Sequence, residues 1–167
     1  MTLTHLVHDH VIAYVNDLST GFQDAAPRWR AVMHVLVVEN DLDTRDLLYK
    51  ALIDAGYEVS QAKGFSEALQ LSGQHPDIGL VVVDLHTCVR LSGVEMAGEM
   101  RQRLSNSHYI LTSSDWDALD PTCPDDMTIL RKPYGRIELL RAVCGGVARR
   151  NERRRFGALK RPNRRRA

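Results

Sequence analysis

The sequence predicts an α/β domain, a doubly wound parallel sheet of five strands with helices on both faces. Val35-Leu36-Val37-Val38 and Ile78-Gly79-Leu80-Val81-Val82-Val83 are short continuous apolar runs, as expected of strands covered on both sides. From His34 onward such runs alternate with segments of helical periodicity, the order that yields a parallel sheet. Acids, hydroxyls and a lysine follow directly on the strands, where open α/β sheets place their sites.

Leu3, Leu6, Val7, Val11, Tyr14, Val15 and Leu18 share one helix face, which Ser19-Thr20-Gly21 breaks. Residues 1–33 therefore read as an amphipathic helix and a linker holding Pro27. After the first strand a helix is expected from Asp43 to Ala55, with Leu47, Leu48, Ala51 and Leu52 inward and Gly56 as its stop. Tyr57 to Ala62 reads as the second strand and Phe65 to Ser72 as a helix, with Pro76 in the turn after it. The third strand ends at Asp84, and Val94 to Leu104 is helical. Tyr109 to Thr112 and Met127 to Leu130 are the last two strands; Pro121 and Pro124 weaken any helix between them. Ile137 to Ala148 is the final helix, closing a domain over 34–149. Residues 150–167 read as a basic, disordered tail, because Gly157 and Pro162 oppose a continuous helix.

The formal net charge of +1 conceals a division. Ten of the 22 basic residues lie at 149–167 against the single acid Glu152, so an acidic body carries a basic tail. No apolar run approaches the roughly 18 residues that would span a bilayer. The N-terminus carries Asp9 and Asp17 and lacks a basic start followed by an apolar block, so it does not read as a secretory signal. Cys88, Cys123 and Cys144 are odd in number and lack C-x-x-C spacing, which argues against a disulfide framework or a zinc site and for a reducing cytoplasm. His5, His8 and His10 are split around a helix and have no partner cysteine, which argues against a metal site there.

Glu39-Asn40-Asp41, Asp84, Thr112-Ser113-Ser114 and Arg131-Lys132-Pro133 all fall just after strands. Oxygen ligands gathered at one point suit magnesium, a hard ion that usually keeps several waters. Beside Asp84 such an ion would neutralise charge as a phosphoryl group approaches the carboxylate. Lys132 would pair with Asp84 at rest and with a phosphoryl oxygen afterwards, while Ser113 or Thr112 would hydrogen-bond another.

The ordered set VLVVEND, VVVDL, ILTSS and LRKPY resembles the receiver domain of two-component response regulators, most of all those attached to hybrid histidine kinases. The resemblance covers about residues 34–149 and implies a flavodoxin-like (βα)5 sandwich. It implies Asp84 as phosphoacceptor, Glu39 and Asn40 as the acidic pair, and Lys132 as the conserved lysine, followed by Pro133, usually through a cis bond. The hydroxyl falls on Ser113, or on Thr112 with a one-residue shift. Magnesium would be held by Glu39, Asn40, Asp84 and the backbone carbonyl of His86.

The chain departs from that pattern in three places. Asn40 stands where an aspartate usually binds the metal, so affinity should fall. The loop HTCVRLSG lacks the usual proline, and Ile129 replaces a switch aromatic. The reading is a single-domain response regulator, not an enzyme, phosphorylated by a histidine kinase or histidine phosphotransfer protein and acting on a downstream protein. The rival is a pseudo-receiver that binds partners without phosphorylation. A phosphatase using Asp84 as nucleophile ranks last, because His86 occupies the place of its second acid. A solvated role for the Arg-rich tail is placed ahead of nucleic-acid contact, and the acidic N-terminal helix is expected to pack on protein, not on a membrane.

Overall fold

The computed structural model describes residues 33–86, 93–114 and 126–159. The expected N-terminal helix, the segment between Ser114 and Asp126 and the last residues of the tail lie outside the described residues. The described elements are β1 (His34–Val38), α1 (Leu42–Asp54), β2 (Glu58–Ala62), α2 (Phe65–Gln74), β3 (Leu80–Asp84), α3 (Gly93–Arg103), β4 (His108–Ser113), β5 (Met127–Arg131) and α4 (Arg136–Leu159).

The strands form one parallel sheet in the order β2-β1-β3-β4-β5. The continuous apolar runs occupy its centre: every residue of β1 and β3 is buried. Because side chains alternate across a strand, these runs supply both faces at once. Leu36, Val38, Val81, Val83, Tyr109 and Leu111 meet Ala68 of α2 and Met100 of α3 on one side. Val35, Val37, Leu80, Val82 and Ile110 meet Leu48 and Leu52 of α1 and Leu139 and Val143 of α4 on the other. This is the expected doubly wound, flavodoxin-like α/β sandwich.

Local signals account for the helix ends. Asp41 caps α1, its carboxylate accepting from the Thr44 N–H at 2.8 Å. Past its end Gly56 takes φ 82°, where glycine carries no Cβ penalty, and donates to the Ile53 carbonyl at 2.8 Å.

One expectation is corrected. The last helix does not stop at Ala148 with a disordered tail after it; α4 continues to Leu159. A 24-residue helix is about 36 Å long, whereas a five-residue strand spans about 16 Å, so α4 overruns the sheet. Its overrun is anchored by side chains: Arg149 donates to Thr128 Oγ1 at 2.8 Å, Arg150 to the Asn106 carbonyl at 2.8 Å and Arg153 to the Ser107 carbonyl at 3.1 Å. Gly157 lies inside the helix, where glycine costs only about 1 kcal/mol.

Candidate functional site

The sheet's C-terminal edge gathers the expected residues. Glu39 follows β1 and extends its pairing, its N–H donating to the Ala62 carbonyl at 3.0 Å. Asp84 is the last residue of β3. Both carboxylates are buried, at 3% and 6% side-chain exposure, and both reach one ammonium. Lys132 Nζ lies 3.1 Å from Asp84 Oδ2 and 3.4 Å from Glu39 Oε2. Its backbone N–H donates to the Ser113 carbonyl at 2.8 Å, which fixes the loop after β5, and the Lys132–Pro133 bond is cis.

Burial works against the Lys132 charge, but the hydrogen bond and charge of Asp84, with the charge of Glu39, outweigh it and raise the ammonium's pKa. Two buried carboxylates thus converge on one ammonium. That donor set fits a hard divalent cation such as magnesium.

Around this core, Glu39 Oε1 accepts from the Asp41 N–H at 3.1 Å and Asp84 Oδ1 from the His86 N–H at 3.3 Å. The second bond folds residue 86 back over the Asp84 carboxylate. His86 Nε2 in turn lies 3.4 Å from Ser114 Oγ. Asn40 is exposed beside the cluster. Asp41 is committed to capping α1; its hydrogen bonds with Thr44 hold its carboxyl below the usual range.

Strand register separates the two candidate hydroxyls. Asp84 pairs with Thr112, so these two residues share a sheet face, while Ser113 projects to the other. Both are buried.

Two residues were missed by sequence reasoning. Arg45, one turn into α1, donates through Nη1 to the Glu39 carbonyl at 2.7 Å and to the Asn40 carbonyl at 3.4 Å, placing a positive charge at the acidic corner. Tyr134 buries its hydroxyl without a well-formed hydrogen bond among the described residues. Burial pushes its pKa up, and the nearby Thr112 hydroxyl and Lys132 ammonium pull it only part of the way back. The LRKPY motif was the available signal for Tyr134; Arg45 had none beyond helical spacing.

A five-stranded parallel sheet with two carboxylates and a lysine converging at its C-terminal edge defines a class: the chain contains a response-regulator receiver domain. No family model matches the chain. It is 34% identical over 117 residues to the uncharacterized transcriptional regulatory protein YrkP of Bacillus subtilis, across 69% of this chain and 49% of YrkP. It thus spans about half the length of that relative. Among solved structures it resembles a response regulator receiver protein from Sinorhizobium medicae, with TM-score 0.62 and 23% identity over 72% of this chain and 98% of that one. The receiver domain of the hybrid histidine kinase CckA gives TM-score 0.59 and 23% identity, covering 68% and 98%.

Proposed function

We propose that the chain is a phosphorelay protein that accepts a phosphoryl group on Asp84. The observation that carries this reading is Lys132 bridging Asp84 and Glu39 at the sheet's C-terminal edge. A carboxylate oxygen of Asp84 would attack the phosphorus of a phosphohistidine on a histidine kinase or phosphotransfer protein. The new P–O bond forms as the P–N bond breaks, and the departing imidazole keeps the electron pair and takes a proton. Asp84 is consumed as an acceptor, so the role is signalling and not turnover.

Glu39, Asp84, the Asn40 side-chain carbonyl and the His86 backbone carbonyl would hold magnesium, which when bound offsets the charge on the incoming group. The Lys132 ammonium would pass from the carboxylate to a phosphoryl oxygen. Thr112, on the face of Asp84, is the better candidate for the hydroxyl that binds another oxygen. Its movement would also change its relation to Tyr134. Output would pass to a downstream protein in the cytoplasm. Among the described residues no helix is long and apolar enough to cross a membrane.

The test is incubation with acetyl phosphate and magnesium, scored as hydroxylamine-labile phosphate on the intact protein. Label that appears in the wild type and not in Asp84→Asn supports the reading; no label, or label unchanged in Asp84→Asn, rejects it.

Arg45 favours a second reading, a pseudo-receiver that binds partners without phosphorylation. Its guanidinium sits against the carbonyls of Glu39 and Asn40, where it opposes a bound cation. If this reading holds, Arg45→Gln or Asn40→Asp will gain magnesium binding that the wild type lacks.

A further inference from the structure

The opposite end of the sheet carries a second cluster of polar side chains. His34 opens β1 and is buried, in a position that a strand would ordinarily fill with an apolar residue. Its Nδ1 lies 3.1 Å from Asp77 Oδ2 and its Nε2 2.9 Å from Ser60 Oγ. The His75 ring stands edge-on to it, with centroids 4.9 Å apart. One ligand atom from each of His34, His75 and Asp77 lies within 4.8 Å of the others.

The backbone holds these three groups together. His75 ends α2, its N–H donating to the Leu71 carbonyl at 2.8 Å. The Ile78 N–H closes the turn onto the His75 carbonyl at 3.2 Å, and the Gly79 N–H fastens the turn to the His34 carbonyl at 2.9 Å. Pro76, between the two outer ligands, fixes its own φ and stiffens the turn. The cluster is separated from Glu39 by the length of β1, about 16 Å.

We propose that His34, His75 and Asp77 form a binding site for a divalent transition metal of the zinc class, with water as the fourth ligand. Two imidazoles and a carboxylate suit zinc and its neighbours, whereas magnesium prefers oxygen alone. Asp77 is 64% exposed, so the site opens to solvent for entry and for the water. Tetrahedral coordination needs ligand atoms about 3.3 Å apart. His34 and Asp77 already meet that spacing, while the ligand atom of half-buried His75 lies within 4.8 Å of both and would have to move closer on binding. Without metal, His34 Nδ1 pairs with the Asp77 carboxylate and Nε2 with the Ser60 hydroxyl. With metal, Nδ1 becomes the ligand and Nε2–H donates to Ser60, a hydrogen bond that orients the ring toward the ion.

Calorimetric titration of the full chain with zinc, in excess magnesium, tests this. One equivalent is expected to bind. His75→Ala and Asp77→Asn should each weaken binding about 100-fold, and Ser60→Ala, which only frees the ring, about 10-fold. Cobalt substitution should give visible tetrahedral d–d bands without a thiolate charge-transfer band, which separates the site from the cysteines. Replacing His5, His8 and His10 together with alanine should leave binding intact. His34 is a core residue, so half-buried His75 and exposed Asp77 carry the test. No binding, binding indifferent to both His75→Ala and Asp77→Asn, or binding lost with the N-terminal histidines would overturn the proposal.

Discussion

Lys132→Met should unbalance the acidic cluster in a way that magnesium repairs. At an effective dielectric of about 20, an ammonium at the distances to Asp84 and Glu39 attracts each carboxylate by about 5 kcal/mol. The two carboxylates reach one nitrogen, so their nearest oxygens lie no more than about 6.5 Å apart and repel by about 3 kcal/mol. Desolvation of the ammonium offsets much of the attraction, and breaking a buried pair by removing one partner costs about 3–5 kcal/mol. Lys132 is partly exposed, which lowers the expected loss to about 2–4 kcal/mol. For a domain of this size that is a fall in Tm of about 8–15 °C. Thermal unfolding in EDTA and in millimolar magnesium measures both effects. The variant should lose stability in EDTA and recover more of it with magnesium than the wild type gains. A Lys132→Met protein that melts with the wild type in EDTA, or that magnesium does not favour, would show that the three charges are not coupled in this way.

Asn40→Asp should tighten magnesium binding at least about 10-fold, because one added charge beside the ion is worth more than about 1.4 kcal/mol; an unchanged calorimetric Kd would remove Asn40 from the ligand set. His108 is fully buried, and burial, then Arg153 and Arg149, lower its pKa from 6.5 to about 4. Its folded pKa lies below the unfolded one, so its contribution is present above pH 6.5 and lost as pH falls towards 4, up to about 3 kcal/mol. Urea unfolding at pH 7 and 4.5 should show a smaller loss in His108→Gln than in the wild type; equal losses would contradict the assignment. Truncation after Ala148 removes the Arg149, Arg150 and Arg153 hydrogen bonds and should cost about 1–3 kcal/mol; an unchanged urea midpoint would show that the overrun of α4 contributes nothing.

The strands and the site's main members were legible because their signals are local. Val35 to Val38 and Leu80 to Val83 are buried on both faces and therefore apolar without alternation, and Asp84 and Lys132 stand at the strand ends. What was hidden depends on contacts between distant residues. Nothing near Arg150 or Arg153 in sequence reveals that loop carbonyls at 106 and 107 lie within their reach, so local breakers such as Gly157 suggested disorder where a helix continues. That Thr112, and not Ser113, shares a sheet face with Asp84 follows from the register of β4 against β3, a pairing between distant residues. Arg45 acts on carbonyls, groups that every residue carries and no sequence pattern marks. His34 gives no local signal beyond standing before the first apolar run, and only folding brings it to Asp77 and Ser60.

Phosphorelay function requires that Asp84, among all the carboxylates of this chain, receives the phosphoryl group. Reduction of the acetyl phosphate-treated protein with borohydride converts an aspartyl phosphate to homoserine, and peptide mapping then locates it. Homoserine is expected at position 84 alone, and only when magnesium is present. Homoserine at any other aspartate, or none under conditions that phosphorylate a control receiver, would contradict the assignment.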